Sequence, residues 1–213
     1  PWAACRSVTT GWYISCMFNT MKLIVTAVLL LLIPFFAAGE KISQEYTRLE
    51  RNRIREIELP EGFSIDFYAK APGARSITPG PEGIYFVGTR DDRVYAVVDE
   101  DSDGRADRVR TILTGFTMPN GVAYRGGDLY VAEVGRIIVL RDVTQQLSGN
   151  PGDLDYEVIT SGYPDHTAHG WKFIAFGPDG LLYVPVGAPC NVCDPEEEIF
   201  ASITRIDVEN PEI

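Results

Sequence analysis

An all-β fold of the β-propeller class is what this sequence predicts, and three observations carry the prediction. A Gly-containing turn followed by an apolar strand with a tyrosine occurs three times, as PEGIYFVGT (81–89), GGDLYVAEV (126–134) and PDGLLYVPV (178–186). Further short strands flank each copy at matching distances. The composition suits a turn-rich β protein more than a helical bundle, with 20 Gly, 14 Pro, 10 Tyr and 10 Phe.

The repeating tyrosines are Tyr85, Tyr130 and Tyr183, spaced 45 and 53 residues apart. Before each turn lies a strand: 74–78, 121–125 and 171–176. After each comes another: 93–99, 136–142 and 202–208. Two units continue to a fourth, at 108–113 and 156–160. Four short strands per repeat of this length make one propeller blade. Blades are therefore expected near 74–113, 120–160 and 170–213. The strands alternate weakly between apolar and polar, as expected where blades stack on both faces. GFSIDFYA (62–69) precedes the first unit and reads as an apolar strand of the kind that closes a ring. Two and a half blades do not close a ring that needs four or more. The expectation is an N-terminal part of a longer protein, exposing unpaired strand edges and prone to aggregate by itself.

The N-terminal region reads differently. Met21 to Gly39, MKLIVTAVLLLLIPFFAAG, has a basic start, a short apolar run interrupted by Pro34, and small residues at its end. That is the pattern of a signal peptide, and it predicts an exported protein, periplasmic or secreted. A retained anchor is the other reading, but the run is short for a membrane span. Residues 1–20 precede a natural start and read as upstream translation, so Cys5 and Cys16 are set aside. Residues 40–58 form a charged lead-in, with Ser43 as a possible helix cap. The whole chain carries 19 Lys+Arg against 30 Asp+Glu, a formal charge of −11. Nucleic acid is not an expected partner, since phosphate neutralisation needs clustered cations. Attraction to an anionic membrane surface is disfavoured for the same reason.

Three groups of residues have chemical potential. His166 and His169, the only histidines, lie in the loop entering the third blade. A loop histidine at a propeller rim acts as a general base near neutral pH, or is an ordinary solvated side chain, and by its i,i+3 spacing the pair could also bind a metal. Asp99, Asp101, Asp103, Gly104 and Asp107 lie in DEDSDGRAD, which follows the first half of an EF-hand loop. Arg110 stands where such a loop ends in Glu, so the alternatives are a calcium site and a solvated acidic turn. Cys190 and Cys193 form a C-x-x-C pair, read as a structural disulfide, a redox pair or half a zinc site. Export favours the disulfide.

The string HGWKFIAFGPDGLLYVPVGAPCN (169–191) resembles the signature of the glucose/sorbosone dehydrogenase family, in its sorbosone-dehydrogenase-like branch. These quinoproteins use pyrroloquinoline quinone (PQQ). His169 lies eight residues before Gly177 of GPDG, the spacing of the family's catalytic base; His166 does not. Residues 59–97 resemble the family's first blade, and MPNGVAYRGGDLYVAE (118–133) its second. The resemblance covers roughly 59–213. It implies a six-bladed propeller in the full-length protein, with PQQ across its mouth and a sugar or related alcohol above. His169 would take the hydroxyl proton while hydride moves to the quinone, and an external acceptor would collect the electrons. Asn120 aligns with a loop at the family's site mouth and is a candidate cofactor contact or a plain turn residue. Arg75 and Arg90 are surface or channel charges.

One departure bears on catalysis. Where the family places an Asp that orients the catalytic His, this chain reads Gly187-Ala188. A base without its orienter is weaker. Two alternatives to the dehydrogenase therefore stand: a non-catalytic propeller binding carbohydrate or protein, and a calcium-dependent lactonase-type propeller using Glu133 and Asn120.

Overall fold

The computed structural model describes residues 48–211 apart from 82, 150 and 151. The expectations placed on residues 1–47, including the signal peptide and the Ser43 cap, lie outside the described residues. Helix α1 (Arg48–Arg55) opens the described chain, with Glu50 in its first turn and Arg53 and Arg55 in its last, the arrangement its dipole favours. Three antiparallel sheets follow. The first has order β1 (Ala74–Pro79), β2 (Ile84–Thr89), β3 (Val94–Val98), β4 (Arg108–Leu113). The second has β5 (Gly121–Arg125), β6 (Asp128–Ala132), β7 (Ile137–Leu140), β8 (Glu157–Thr160). The third has β9 (Ala175–Phe176), β10 (Leu182–Val186), β11 (Ser202–Ile206). Each is a meander in chain order, and together they form a partial β-propeller.

The packing explains the weak alternation of the sequence. Both faces of the middle strands are buried. On β2 and β3, Phe86, Val94 and Ala96 face the second blade, joining Val122, Leu129, Val131, Ile138 and Leu140 in one core. Their neighbours Val87, Tyr95 and Val97 face the other way. On β7, Ile138 and Leu140 point to the first blade while Ile137 and Val139 point to the third, against Leu182 and Val184. The period of two is present, but both phases are apolar. The strand β11 has one open face and does alternate, with Ile203 outward and Ile206 inward. The first strands converge: β5 touches β1, β2 and β9.

Three expectations are corrected. Residues 62–69 do not form a strand. Among the described residues no strand forms a ladder with them. Instead Tyr68, Ala69 and Ala71 cover the far face of the first blade, and Ala106 N–H donates to Tyr68 O at 2.9 Å. The strand expected at 171–176 shrinks to Ala175–Phe176, and the backbone carbonyl of Lys172 accepts from the Asn120 amide at 2.7 Å instead of from a neighbouring strand. A seven-residue helix, α2 (Val143–Gly149), enters between β7 and β8 and buries Val143.

Candidate active site

The meander topology decides which loops share a rim. In each blade the turn between the second and third strands lies at the end where the fourth strand hands over to the next blade. Loops 90–93, 114–120, 133–136, 161–174 and 187–201 therefore share one rim. Hydrogen bonds stitch them together. Thr89 N–H donates to Pro119 O at 3.1 Å, Met118 N–H to Asp91 O at 3.1 Å, and Val134 N–H to Thr117 O at 3.1 Å. Buried Glu133 accepts from Thr117 N–H at 2.7 Å and pairs with Arg136.

His169 sits on this rim with its ring exposed. Its backbone is left-handed at φ 51°, a conformation that side chains beyond glycine adopt only when held. Two neighbours hold it. Gly187 lies so close that a Cβ there would collide with His169 O and stand 2.7 Å from its Cβ. The ring Nδ1 is 3.0 Å from Ala188 O. A carbonyl only accepts, so the proton of a neutral ring sits on Nδ1 and Nε2 keeps its lone pair. The orienting job that the missing Asp would do falls to a backbone carbonyl one residue beyond Gly187.

Behind His169 lies a buried lysine that sequence reasoning missed. Lys172 is 1% exposed. Its Nζ donates to Val134 O at 2.6 Å and Gly170 O at 3.0 Å, with the Tyr163 ring 5.3 Å away. Burial pushes the ammonium down to about 8. This amine ties the second blade's rim loop to the residue that follows His169. Asn120 belongs to the same scaffold. It is buried, and its amide donates to Lys172 O at 2.7 Å while its own carbonyl accepts from Ser76 Oγ. The structure thus gives Asn120 a packing role between blades. Glu133 is spent on Thr117 and Arg136, so the two residues of the lactonase alternative are both engaged in rim scaffolding.

Beside the histidine stands a cation. The Arg90 guanidinium lies 4.3 Å from the centre of the Trp171 ring, and that ring lies 6.3 Å from the His169 ring. Arg90 comes from the first blade and Trp171 from the third, so only the fold brings them together. Arg75 is exposed on β1. His166 points elsewhere, with its ring 5.8 Å from Phe200 in a separate shallow cleft. Cys190 and Cys193 are joined as a disulfide in the rim loop that follows Ala188.

The Asp residues lie at the opposite end of the first blade, in the turn from β3 to β4. One carboxylate oxygen each from Asp99, Asp101 and Asp107 gathers within 4.8 Å, the one such grouping of three among the described residues. Asp103 is not in it; its Oδ1 accepts from Arg105 N–H at 2.8 Å.

Whether a planar anionic quinone suits this rim is a question of donors. Among the described rim residues Arg90 offers positive charge on an aromatic backing, while the Nε2 lone pair of His169 accepts and does not donate.

No protein-family model matches the chain, and no curated protein matches it. Among solved structures, it is similar to the PQQ domain of a pyranose dehydrogenase from Coprinopsis cinerea, at TM-score 0.46 and 13% identity over 56% of this chain and 29% of that one. It is similar to a Trichoderma reesei protein of carbohydrate-active enzyme family AA12, at TM-score 0.49 and 16% identity over 62% of this chain and 34% of that one. A third is an oxidoreductase described as a glucose dehydrogenase from Thermus thermophilus, at TM-score 0.46 and 22% identity over 65% of this chain and 44% of that one. The chain spans less than half the length of each.

Proposed function

We propose that the chain is part of an exported quinoprotein that oxidises a sugar or related alcohol, with His169 as the general base. The observation that carries this reading is the His169 geometry. An exposed histidine held by a Gly187 contact and an Nδ1–H···O=C bond keeps its lone pair on Nε2. Nε2 accepts the proton of a substrate hydroxyl as the C–H bond breaks. PQQ, when bound, supplies the two-electron acceptor. Arg90 holds an anionic group beside the base, and Trp171 fixes the guanidinium through its ring face. Lys172 and Asn120 keep the rim loops in register. Export is supported by the signal-like segment 21–39 and by the Cys190–Cys193 disulfide.

The test uses the whole protein loaded with PQQ and calcium, following dye reduction with aldoses and sorbosone. Wild-type turnover that falls by about 10²-fold or more in His169→Ala supports the reading, given what a general base contributes. Absence of quinone binding refutes it and leaves a carbohydrate- or protein-binding propeller.

A further inference from the structure

We propose that the β3–β4 turn of the first blade, through Asp99, Asp101 and Asp107, is a calcium site, at the rim opposite His169. Three observations carry it. First, the three carboxylates each contribute an oxygen to a group no wider than 4.8 Å. Second, each carboxylate has one oxygen that accepts a backbone N–H inside the turn. Asp99 Oδ2 accepts from Gly104 N–H at 3.2 Å, Asp101 Oδ1 from Asp103 N–H at 3.2 Å, and Asp107 Oδ2 from Glu100 N–H at 2.7 Å. The turn thereby leaves one oxygen on each carboxylate for something else. Third, and independently of the clustering, Asp99 is 8% exposed and its Oδ1 is buried with no partner. A buried carboxylate oxygen without a donor is costly, the more so for a charged group. A cation meets that need.

The local cations do not. Arg105 pairs with Asp66 at 2.7 Å, and Arg108 pairs with Glu100. The donor set contains only hard oxygens, which selects calcium over zinc or copper. Tyr68 Oη, a buried oxygen, faces Asp99 from the lead-in segment, and that carboxylate helps hold its phenol proton. The ion therefore fastens the lead-in to the first blade, alongside the Ala106–Tyr68 backbone bond and the Arg105–Asp66 pair. With Arg110 in place of a terminal bidentate Glu, the affinity expected is that of extracellular modules, about 10⁻⁴–10⁻³ M.

The experiment needs no quinone and is independent of the proposed function. The protein is stripped with chelator and titrated with calcium by calorimetry, and with terbium by tyrosine-sensitised luminescence. Saturable binding in that range is expected, weakened at least tenfold in Asp101→Asn and in Asp107→Asn, both exposed positions that spare the core. Asp103→Asn should bind as wild type. Absence of saturable binding up to about 5 mM calcium, beyond the weakest such modules, would overturn the proposal. Binding unchanged in both Asp101→Asn and Asp107→Asn would overturn it too. In that case Tyr68 and Asp99 satisfy each other through a hydroxyl–carboxylate bond.

Discussion

Raising the pH from 8 to 10 should stabilise this fold, and Lys172 is the reason. The side chain is fully enclosed, and its named partners are two carbonyls and an aromatic ring. None of them carries a negative charge to compensate the ammonium. Burial lowers its folded pKa to about 8 from an ordinary 10.5. Between those values the unfolded chain binds more protons than the folded one, so stability rises with pH. The burial penalty is fully present below about pH 8 and is relieved as the amine loses its proton. At about 1.36 kcal/mol per pKa unit, integration from pH 8 to 10 gives a gain of about 2 kcal/mol. Against a total of about 5–15 kcal/mol, that is a visible shift. The window closes near pH 10, because the Tyr68 phenol, pushed up to about 12 by burial and by Asp99, acts in the opposite sense. The assay is denaturant unfolding followed by tryptophan fluorescence at several pH values, beside Lys172→Met. The variant leaves the Val134 and Gly170 carbonyls without a donor, at about 1–3 kcal/mol each, so its baseline falls. Its slope between pH 8 and 10 should flatten. A flat wild-type profile, or the same slope in the variant, would refute the reasoning.

Four further outcomes are expected. Gly187→Ala drives a methyl into His169 O, so it must displace the histidine that the proposed function uses as base. Turnover should drop by about 10²-fold, the usual result of a 1 Å misplacement, with circular dichroism unchanged; full activity in this variant would exclude the close contact. Ile138→Ala removes a completely buried side chain between the first two blades and should cost about 2–5 kcal/mol in chemical denaturation. Asn120→Ala strips the donor from Lys172 O and should cost about 1–3 kcal/mol; a neutral result would mean that the blades are not pinned there. His169→Gly should be more stable than His169→Ala by about 1 kcal/mol, because only glycine adopts a left-handed backbone freely. Equal melting temperatures would deny the strain.

The blades were legible because each repeats a Gly turn, an apolar strand and a tyrosine, and because stacking on both faces makes the middle strands apolar throughout. What escaped the sequence depended on partners far away along the chain. WKFIAF reads as a strand, yet the Lys172 backbone carbonyl is taken by the distant Asn120 amide, and Phe173 is left 60% exposed. GFSIDFYA reads as a strand, yet among the described residues it joins no ladder, and its Tyr68 lies edge-on to Tyr85 instead. The histidine is legible through its distance from GPDG. Its orienter is not, since a backbone acceptor carries no residue identity. Arg90 and Trp171 lie on different blades, and no local pattern links them. The acidic turn was legible in outline, but which three carboxylates converge is settled by backbone turns at Ser102 and Gly104.

The exchange of a carboxylate orienter for a carbonyl has a chemical consequence. Both acceptors select the same tautomer, so both leave Nε2 ready to take a proton. They differ once the proton has arrived. An ionised acceptor stabilises the imidazolium that forms, and hydrogen bonds to charged groups are roughly twice as strong as neutral ones. The Ala188 carbonyl gives only the weaker bond. On the proposed reading, a base so held is positioned well but lacks the charge-assisted bond that a carboxylate would give. Ala188→Asp does not recover it, because the carbonyl already occupies Nδ1. Gly187 is excluded by its contact with His169. The rim therefore commits this histidine to orientation by backbone, and the strain at φ 51° together with the Lys172 tether to Gly170 is what makes that orientation firm.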